Sequence, residues 1–357
     1  MIVDADGHVR ELDERIYEYL EGRYGQLVHD PTHRFFPSVG PSALGLRDPA
    51  VHDVKSIEVD GDVWLEALEE FGIDSAVLFP TAGLGHGQIR NPDWACALAR
   101  AYNRWAQDTY GRVSPRLKPV AILPVQDVAA AAAELRFAVT ELGMVAGFLP
   151  AGNCINEPFG HPDFDPIWAE AERLGVPIAL HAHTGDTQWL TLHLFDTRGA
   201  KIHALSHPFK NIVQLTSIVM DGVFERFPGV RLACLESGST WVLGLMDRLD
   251  YEHHREKRNA RPALPRKPSA YIREHVYVTC DLSEGMLPAT IERFGADHLM
   301  FASDFPHDAR AWIHDEMAEF GERTDVTEET KRKILGENAA RFFGLAPAKM
   351  TAPGGAG

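Results

Sequence analysis

Asp4, Asp6 and His8 alternate with Val3, Ala5 and Gly7 at the start of the chain. Successive side chains on a β-strand point to opposite faces, so these three would share one face. Two carboxylates and an imidazole gathered there are costly unless something pairs with them, and a divalent cation is the simplest partner. From these residues alone, a polar strand end with carboxylates capping backbone N–H groups is an equal alternative. More residues of the same chemistry end later apolar runs. His181 closes the run from Val176, with His183 just beyond it, and Glu236 follows Val230 to Leu235. Asp304 follows His298 to Ser303, and Asp281 follows Val276 to Cys280. Ligand and acid–base types delivered from several strand ends point to a metal-binding mouth.

The elements that would hold these residues repeat along the chain. Strands are expected from about residues 2, 73, 117, 145, 176, 230, 276 and 298, with helical spacing between most of them. Strands that are apolar throughout and alternate with helices indicate a parallel sheet covered on both faces. Eight such units predict an α/β fold, a single (β/α)8 TIM barrel over residues 1–345, with its active site at the C-terminal strand ends. An open doubly wound sheet is the other candidate, but no GxGxxG turn follows the first strand. Long insertions follow strand 1 (residues 9–60, read as a lid or binding loop) and strand 5, and residues 346–357 read as a disordered tail.

Composition narrows the class of partner. The chain has 357 residues, 45% of them hydrophobic, and a formal net charge of −16, which argues against nucleic acid or an anionic membrane surface. No apolar run approaches the roughly 20 residues of a membrane-spanning helix. Cys96, Cys154, Cys234 and Cys280 are widely spaced in apolar contexts and form no CxxC pair, as expected for reduced core thiols. A cytoplasmic homodimer acting on a small molecule is expected.

Several stretches together resemble a known family. They are the opening Asp6-Gly7-His8, the His181 strand end, Leu235-Glu236-Ser237-Gly238, Ala302-Ser303-Asp304-Phe305-Pro306-His307, and Lys333 through Leu345. In these the chain is similar to the amidohydrolase superfamily, in the branch related to aminocarboxymuconate-semialdehyde decarboxylase. The resemblance implies a metal-dependent (β/α)8 barrel whose members decarboxylate, hydrolyse or hydrate small carbonyl or aromatic acids. It places metal ligands at Asp6, His8, His181 and Asp304. The chain departs from the pattern in three places. Asp6 stands where many relatives have His, Glu236 stands where decarboxylating relatives have a catalytic His, and Leu149-Pro150 leaves no strand-4 lysine to bridge two metals.

Those departures shift the expected chemistry. A carboxylate in place of His moves preference from Zn²⁺ towards Mn²⁺ or Fe²⁺. With Glu236 also inward, three carboxylates would raise one another's pKa unless cations neutralise them. One or two divalent ions are therefore expected, with iron favoured for a carboxylate-bridged pair on Asp4 or Asp6, His8, His181, Glu236 and Asp304. The leading expectation is a metal-dependent hydrolase or lyase in which Asp304 is the acid or base and Glu236 shuttles the proton. The alternatives are a nonheme diiron monooxygenase on the same barrel and a catalytically degenerate binding scaffold. Asp4, His183, His203, His207 and His307 are expected behind the ligands or against substrate. His203 and His207 have the i, i+4 spacing of a helical metal pair, but Pro208 is expected to begin a new helix after them. Trp189, Phe195, Phe35 and Phe36 could wall an apolar pocket or simply pack. Asp281 reads as a further acid or a helix N-cap.

Overall fold

A computed structural model describes residues 1–26, 34–37, 59–183, 200–258 and 264–345. The strands are β1 (Val3–His8), β2 (Ser75–Phe79), β3 (Leu117–Pro119), β4 (Ala121–Ile122) and β5 (Gly147–Pro150). They continue with β6 (Ile178–His181), β7 (Leu232–Cys234), β8 (Val276–Thr279) and β9 (Leu299–Met300). Each neighbouring pair is parallel, in the orders β1-β2-β3 and β4-β5-β6-β7-β8-β9. The third expected strand is therefore interrupted at Val120, whose N–H donates to Leu78 O instead of continuing the ladder to β5. Main-chain bonds from Ala5 N to Phe301 O, Asp304 N to Asp6 O and His8 N to Phe305 O join β1 to the segment that directly follows the last strand. They bring the first and last strand ends together, as the expected eight-unit barrel requires.

Helices α1 (Asp13–Tyr17), α2 (Gly61–Phe71), α3 (Pro92–Ala106), α4 (Val128–Thr140) and α5 (Asp165–Leu174) alternate with the first strands. Their ends follow local chemistry. Asp60 accepts from Asp62 N and Val63 N at the start of α2, and Gly72 closes it in the left-handed conformation at φ 67°. Asn91 caps α3, with Pro92 at its first position. Next come α6 (Ala200–Met220), α7 (Val223–Arg226), α8 (Trp241–Arg258) and α9 (Pro268–His275). The last are α10 (Leu287–Arg293), α11 (Arg310–Glu322), α12 (Glu328–Arg332) and α13 (Asn338–Phe343). Strand residues such as Val77, Phe148, Leu180, Ala233 and Val278 are fully buried, so the core lies within and around the sheet.

One sequence expectation is corrected here. Pro208 does not begin a helix; it lies inside α6, which starts at Ala200. Proline inside a helix costs about 3 kcal/mol or more. The inward face of α6 offsets that cost. Lys210 Nζ donates to His183 O, Asn211 Nδ2 to Leu235 O and Gln214 Nε2 to Ala151 O, tying the helix to three strand ends. The segment after β1 is not wholly irregular either, since it holds α1. Phe36 is buried beside Tyr102 and His86, and Phe35 packs on Trp94, so both are packing residues. The rest of the expected lid, Trp189, His193, Phe195 and the tail lie outside the described residues.

Candidate metal centre

β1 and β6 and the segments after β7 and β9 deliver Asp6, His8, His181, Glu236 and Asp304 to one place. His8 Nε2 lies 3.3 Å from Asp304 Oδ1 and 3.7 Å from Asp6 Oδ1. His181 Nε2 lies 3.5 Å from Asp6 Oδ2 and 3.4 Å from Glu236 Oε2. Metal–donor distances near 2.1 Å put neighbouring donors of a tetrahedral or octahedral site roughly 3.0–3.5 Å apart. The observed spacings fall in or close to that range.

The ring orientations say what belongs between these atoms. His8 Nδ1 lies 2.9 Å from Pro80 O, and His181 Nδ1 lies 2.6 Å from Ala182 O. A carbonyl oxygen only accepts, so each ring donates its Nδ1–H and turns the Nε2 lone pair towards the carboxylates. Acceptor then faces acceptor inside the protein. Asp6 Oδ1, His8 Nε2 and His181 Nε2 are buried with no hydrogen-bond partner among the described residues. Protonating the rings would not resolve this. Burial, followed by the charges of His307 and His181, holds His8 well below the ordinary imidazole value. Burial also pushes His181 down to about 4. Burial, then the charges of Glu236 and Asp304, holds Asp6 well above the usual carboxylate range. A divalent cation satisfies all of these groups at once, and the donor set fits one.

Surrounding residues fix this geometry. Asp4 is not aimed at the centre. Its carboxylate accepts from Ser303 N at 2.9 Å, Ser303 Oγ at 2.5 Å and Asp6 N at 3.1 Å, clipping β1 to the segment that carries Asp304. Asp304 and Glu236 both adopt positive φ, 50° and 47°. Such strain in a non-glycine residue persists only where the surroundings impose it. Glu236 is held by its N–H donating to Thr279 Oγ1 at 2.9 Å, and Asp304 by its bond to Asp6 O. Gly7 is required by Trp64, against whose ring a Cβ would collide, while Trp64 Nε1 donates to His8 O at 3.1 Å.

His307 stacks on His8 at 4.1 Å between ring centroids and supports Asp304. Its Nδ1 lies 2.8 Å from Asp304 Oδ1, and its Nε2 lies 2.9 Å from Thr81 Oγ1. Thr81 gives its own hydroxyl proton to Val9 O, so its oxygen accepts and both nitrogens of His307 act as donors. Burial opposes that doubly protonated ring, but the charge and hydrogen bond of Asp304 raise its pKa above the ordinary value. Both nitrogens of His307 are thus engaged, by Asp304 and Thr81, although its ring also lies within reach of a metal shared with His8 and Asp304.

α6 brings His203 and His207 to Glu236. The i, i+4 pair does share a helical face, extended by Lys210, Asn211 and Gln214. His203 Nε2 lies 3.1 Å from Glu236 Oε1, and His207 Nε2 lies 3.4 Å from Oε2. Burial alone would raise the Glu236 pKa, but His207, His203 and His181 together hold it well below the usual range. His183 contributes its carbonyl to Lys210 and is not grouped with the other candidate ligands. Asp281 caps no helix, and its N–H donates to Glu284 Oε1. Sequence reasoning missed Thr81, which carries no local signal, the role of Ser303 towards Asp4, and the polar stripe of α6, which its spacing at residues 203, 207, 210, 211 and 214 could have disclosed.

The amidohydrolase family model matches residues 3–345. The chain belongs to that family. It is 27% identical to a gamma-resorcylate decarboxylase of Rhodococcus jostii over 80% of this chain and 87% of that protein. It is also 27% identical to a 6-methylsalicylic acid decarboxylase of Penicillium expansum over 88% of this chain and 95% of that one. The solved dihydroxybenzoic acid decarboxylase of Polaromonas sp. JS666, which holds manganese and 2-nitroresorcinol, superposes with a TM-score of 0.67 at 24% identity, over 81% of this chain and 87% of that one. This amidohydrolase is an enzyme of the metal-dependent kind. No helix among its described residues is long and apolar enough to cross a membrane.

Proposed function

We propose that the protein catalyses metal-dependent, non-oxidative decarboxylation of a small aromatic acid bearing a hydroxyl group beside its carboxylate. One observation carries this reading: the Nε2 lone pairs of His8 and His181 face Asp6, Asp304 and Glu236 in a buried site whose Nδ1 atoms are tied to backbone carbonyls. The relatives named above, which act on hydroxylated aromatic acids, support the substrate class.

Asp6, His8, His181 and Asp304 would hold the cation, with manganese the best match to a carboxylate-rich donor set. When bound, it polarises the substrate carboxylate and the neighbouring hydroxyl oxygen and offsets the charge of the protein carboxylates. Asp304 holds the proton for transfer, replenished through Nδ1 of His307. The bond between ring and carboxyl carbon breaks, its electron pair stays on the ring carbon, that carbon takes the proton, and CO₂ leaves. Glu236 stays ionised among three imidazoles and fixes their orientation. The test is CO₂ release from a panel of ortho-hydroxybenzoates by manganese-loaded protein. Release from at least one acid, lost in His8→Ala, is expected; no release from any of them overturns the reading.

A second reading, oxygenation at an iron pair, draws on one feature: His203, His207 and Glu236 form a further group of candidate metal donors beside Asp6, His8 and His181. Oxygen uptake matched to substrate loss, without CO₂, would select it.

A further inference from the structure

Glu11 follows β1, buried before α1 and outside every group of candidate metal donors among the described residues. Its Oε1 accepts from Thr81 N at 3.0 Å and Gly83 N at 2.8 Å, and its Oε2 from Thr81 N at 3.2 Å and Ala82 N at 3.0 Å. These successive N–H groups open the short 3₁₀ helix Ala82–Gln88 just past β2. All three only donate, so they pair with the ionised carboxylate. Burial raises the Glu11 pKa, and the same N–H groups oppose that rise. Gly83 permits the close approach, because a Cβ there would meet Ile122 Cδ1 at 2.6 Å and Pro80 Cβ at 2.7 Å.

Thr81 N belongs to the peptide group whose carbonyl is Pro80 O, and that oxygen accepts from Nδ1 of His8 at 2.9 Å. One planar peptide therefore has Glu11 on its N–H and His8 on its C=O. Negative charge at the N–H end polarises the peptide and strengthens its carbonyl as an acceptor. An imidazole that gives its Nδ1–H to a stronger acceptor is more basic at Nε2, the atom turned towards Asp304 and Asp6. The same loop holds His307. Thr81 Oγ1 accepts from its Nε2 at 2.9 Å while donating to Val9 O at 2.6 Å.

We propose that Glu11 is a positioning residue of the metal centre, acting on His8 through the Pro80–Thr81 peptide and on His307 through the Thr81 hydroxyl. This rests on the metal-dependent reading above and adds to it a residue outside the ligand set. Glu11 fixes the peptide plane that sets the His8 tautomer, and the loop that carries the acceptor for His307, without touching cation or substrate. Replacing either carboxylate oxygen by an amide nitrogen would set donor against donor at Ala82 or Gly83, so the loop would turn and take Pro80 O with it.

The test is the Mn²⁺ affinity of tag-free, full-length protein stripped with chelator, read from the paramagnetic resonance signal of free Mn²⁺ during titration. Glu11→Gln is expected to bind about 10–100-fold more weakly than the wild type. Glu11→Asp, which keeps the charge on a stem one methylene shorter, is expected to fall between the two. Glu170→Gln removes a carboxylate that pairs with Arg136 and Arg173 elsewhere, and is expected to bind like the wild type. Wild-type affinity in Glu11→Gln overturns the proposal, and so does equal weakening in Glu170→Gln, which would mark a general loss of stability. Should Glu11→Gln not fold, wild-type affinity in Glu11→Asp overturns it instead. Each of these results leaves the metal-dependent reading standing; a wild type that binds no Mn²⁺ removes that reading and the role of Glu11 with it.

Discussion

Nε2 of His8, on the first strand, lies 3.3 Å from Oδ1 of Asp304, just after the last, and the ring's Nδ1–H is turned the other way, to Pro80 O. The proposed cation would bind between them, where the first and last strand ends meet. Removing it should therefore loosen the fold. Chelation is expected to lower the melting temperature of the wild type, and saturating metal at about 100 times its dissociation constant to restore about 2.7 kcal/mol. His8→Ala should melt near the chelated wild type and gain little from added metal. Calorimetry with and without Mn²⁺ checks this.

His307 acts through Asp304, donating to it at 2.8 Å while Thr81 holds its other nitrogen. His307→Gln is expected to lower kcat about 10–100-fold, with metal content unchanged and KM little affected. Its pH profile should lose the limb set by the imidazole. Thr81→Val, which strips the acceptor from Nε2 and leaves the ring in place, should fall between the two. Equal losses of metal and activity in His307→Gln would show that the ring is a ligand after all.

Gly7 separates Asp6 from His8 and has Trp64 packed against it. Gly7→Ala should push the indole away from His8 O at a cost of about 1–3 kcal/mol. Metal affinity is expected to weaken in the same variant, because the bond from Trp64 fixes the strand end that carries His8. A shift in tryptophan emission together with a lower melting temperature would report both effects.

The gathering of these candidate donors was legible in two patterns: Asp6 and His8 alternate with Ala5 and Gly7 on the first strand, while His181, Glu236 and Asp304 each follow an apolar run, and a parallel strand presents its C-terminal end to the mouth. The α6 pair was harder to read. The residue before a proline disfavours helix, and that local rule points away from His207; it is overridden by Lys210, Asn211 and Gln214, whose partners lie in other strands. The contacts of Thr81 and Ser303 are beyond local inference altogether. Thr81 meets His307 across 226 residues and Ser303 meets Asp4 across 299, contacts that exist only once the ends of the chain are joined.

Away from the centre, Glu170 ties α4 to α5 through Arg136, and its own helix through Arg173. Those hydrogen bonds, Arg173 first, hold its carboxyl down to about 2 from an ordinary 4.5. A depressed folded pKa contributes stability that is complete above the unfolded value and is lost as pH falls from 4.5 through about 2. Both arginines are more than half exposed, so solvent screening limits the contribution to about 1–2 kcal/mol. Glu170→Gln should be less stable than the wild type at pH 7 by that amount, and the gap should close towards pH 2. A gap independent of pH in denaturant titrations would refute the ionic origin.

The central claim, that these residues run a decarboxylation, is met most directly by one isotope measurement. Manganese-loaded protein is given an ortho-hydroxybenzoate that it consumes, in deuterium oxide, and the aromatic product is analysed by mass and proton resonance. The account predicts one deuterium at the carbon that carried the carboxylate, with one CO₂ per product and no oxygen consumed. A product that keeps its carboxylate, or one that gains an oxygen atom, would contradict it.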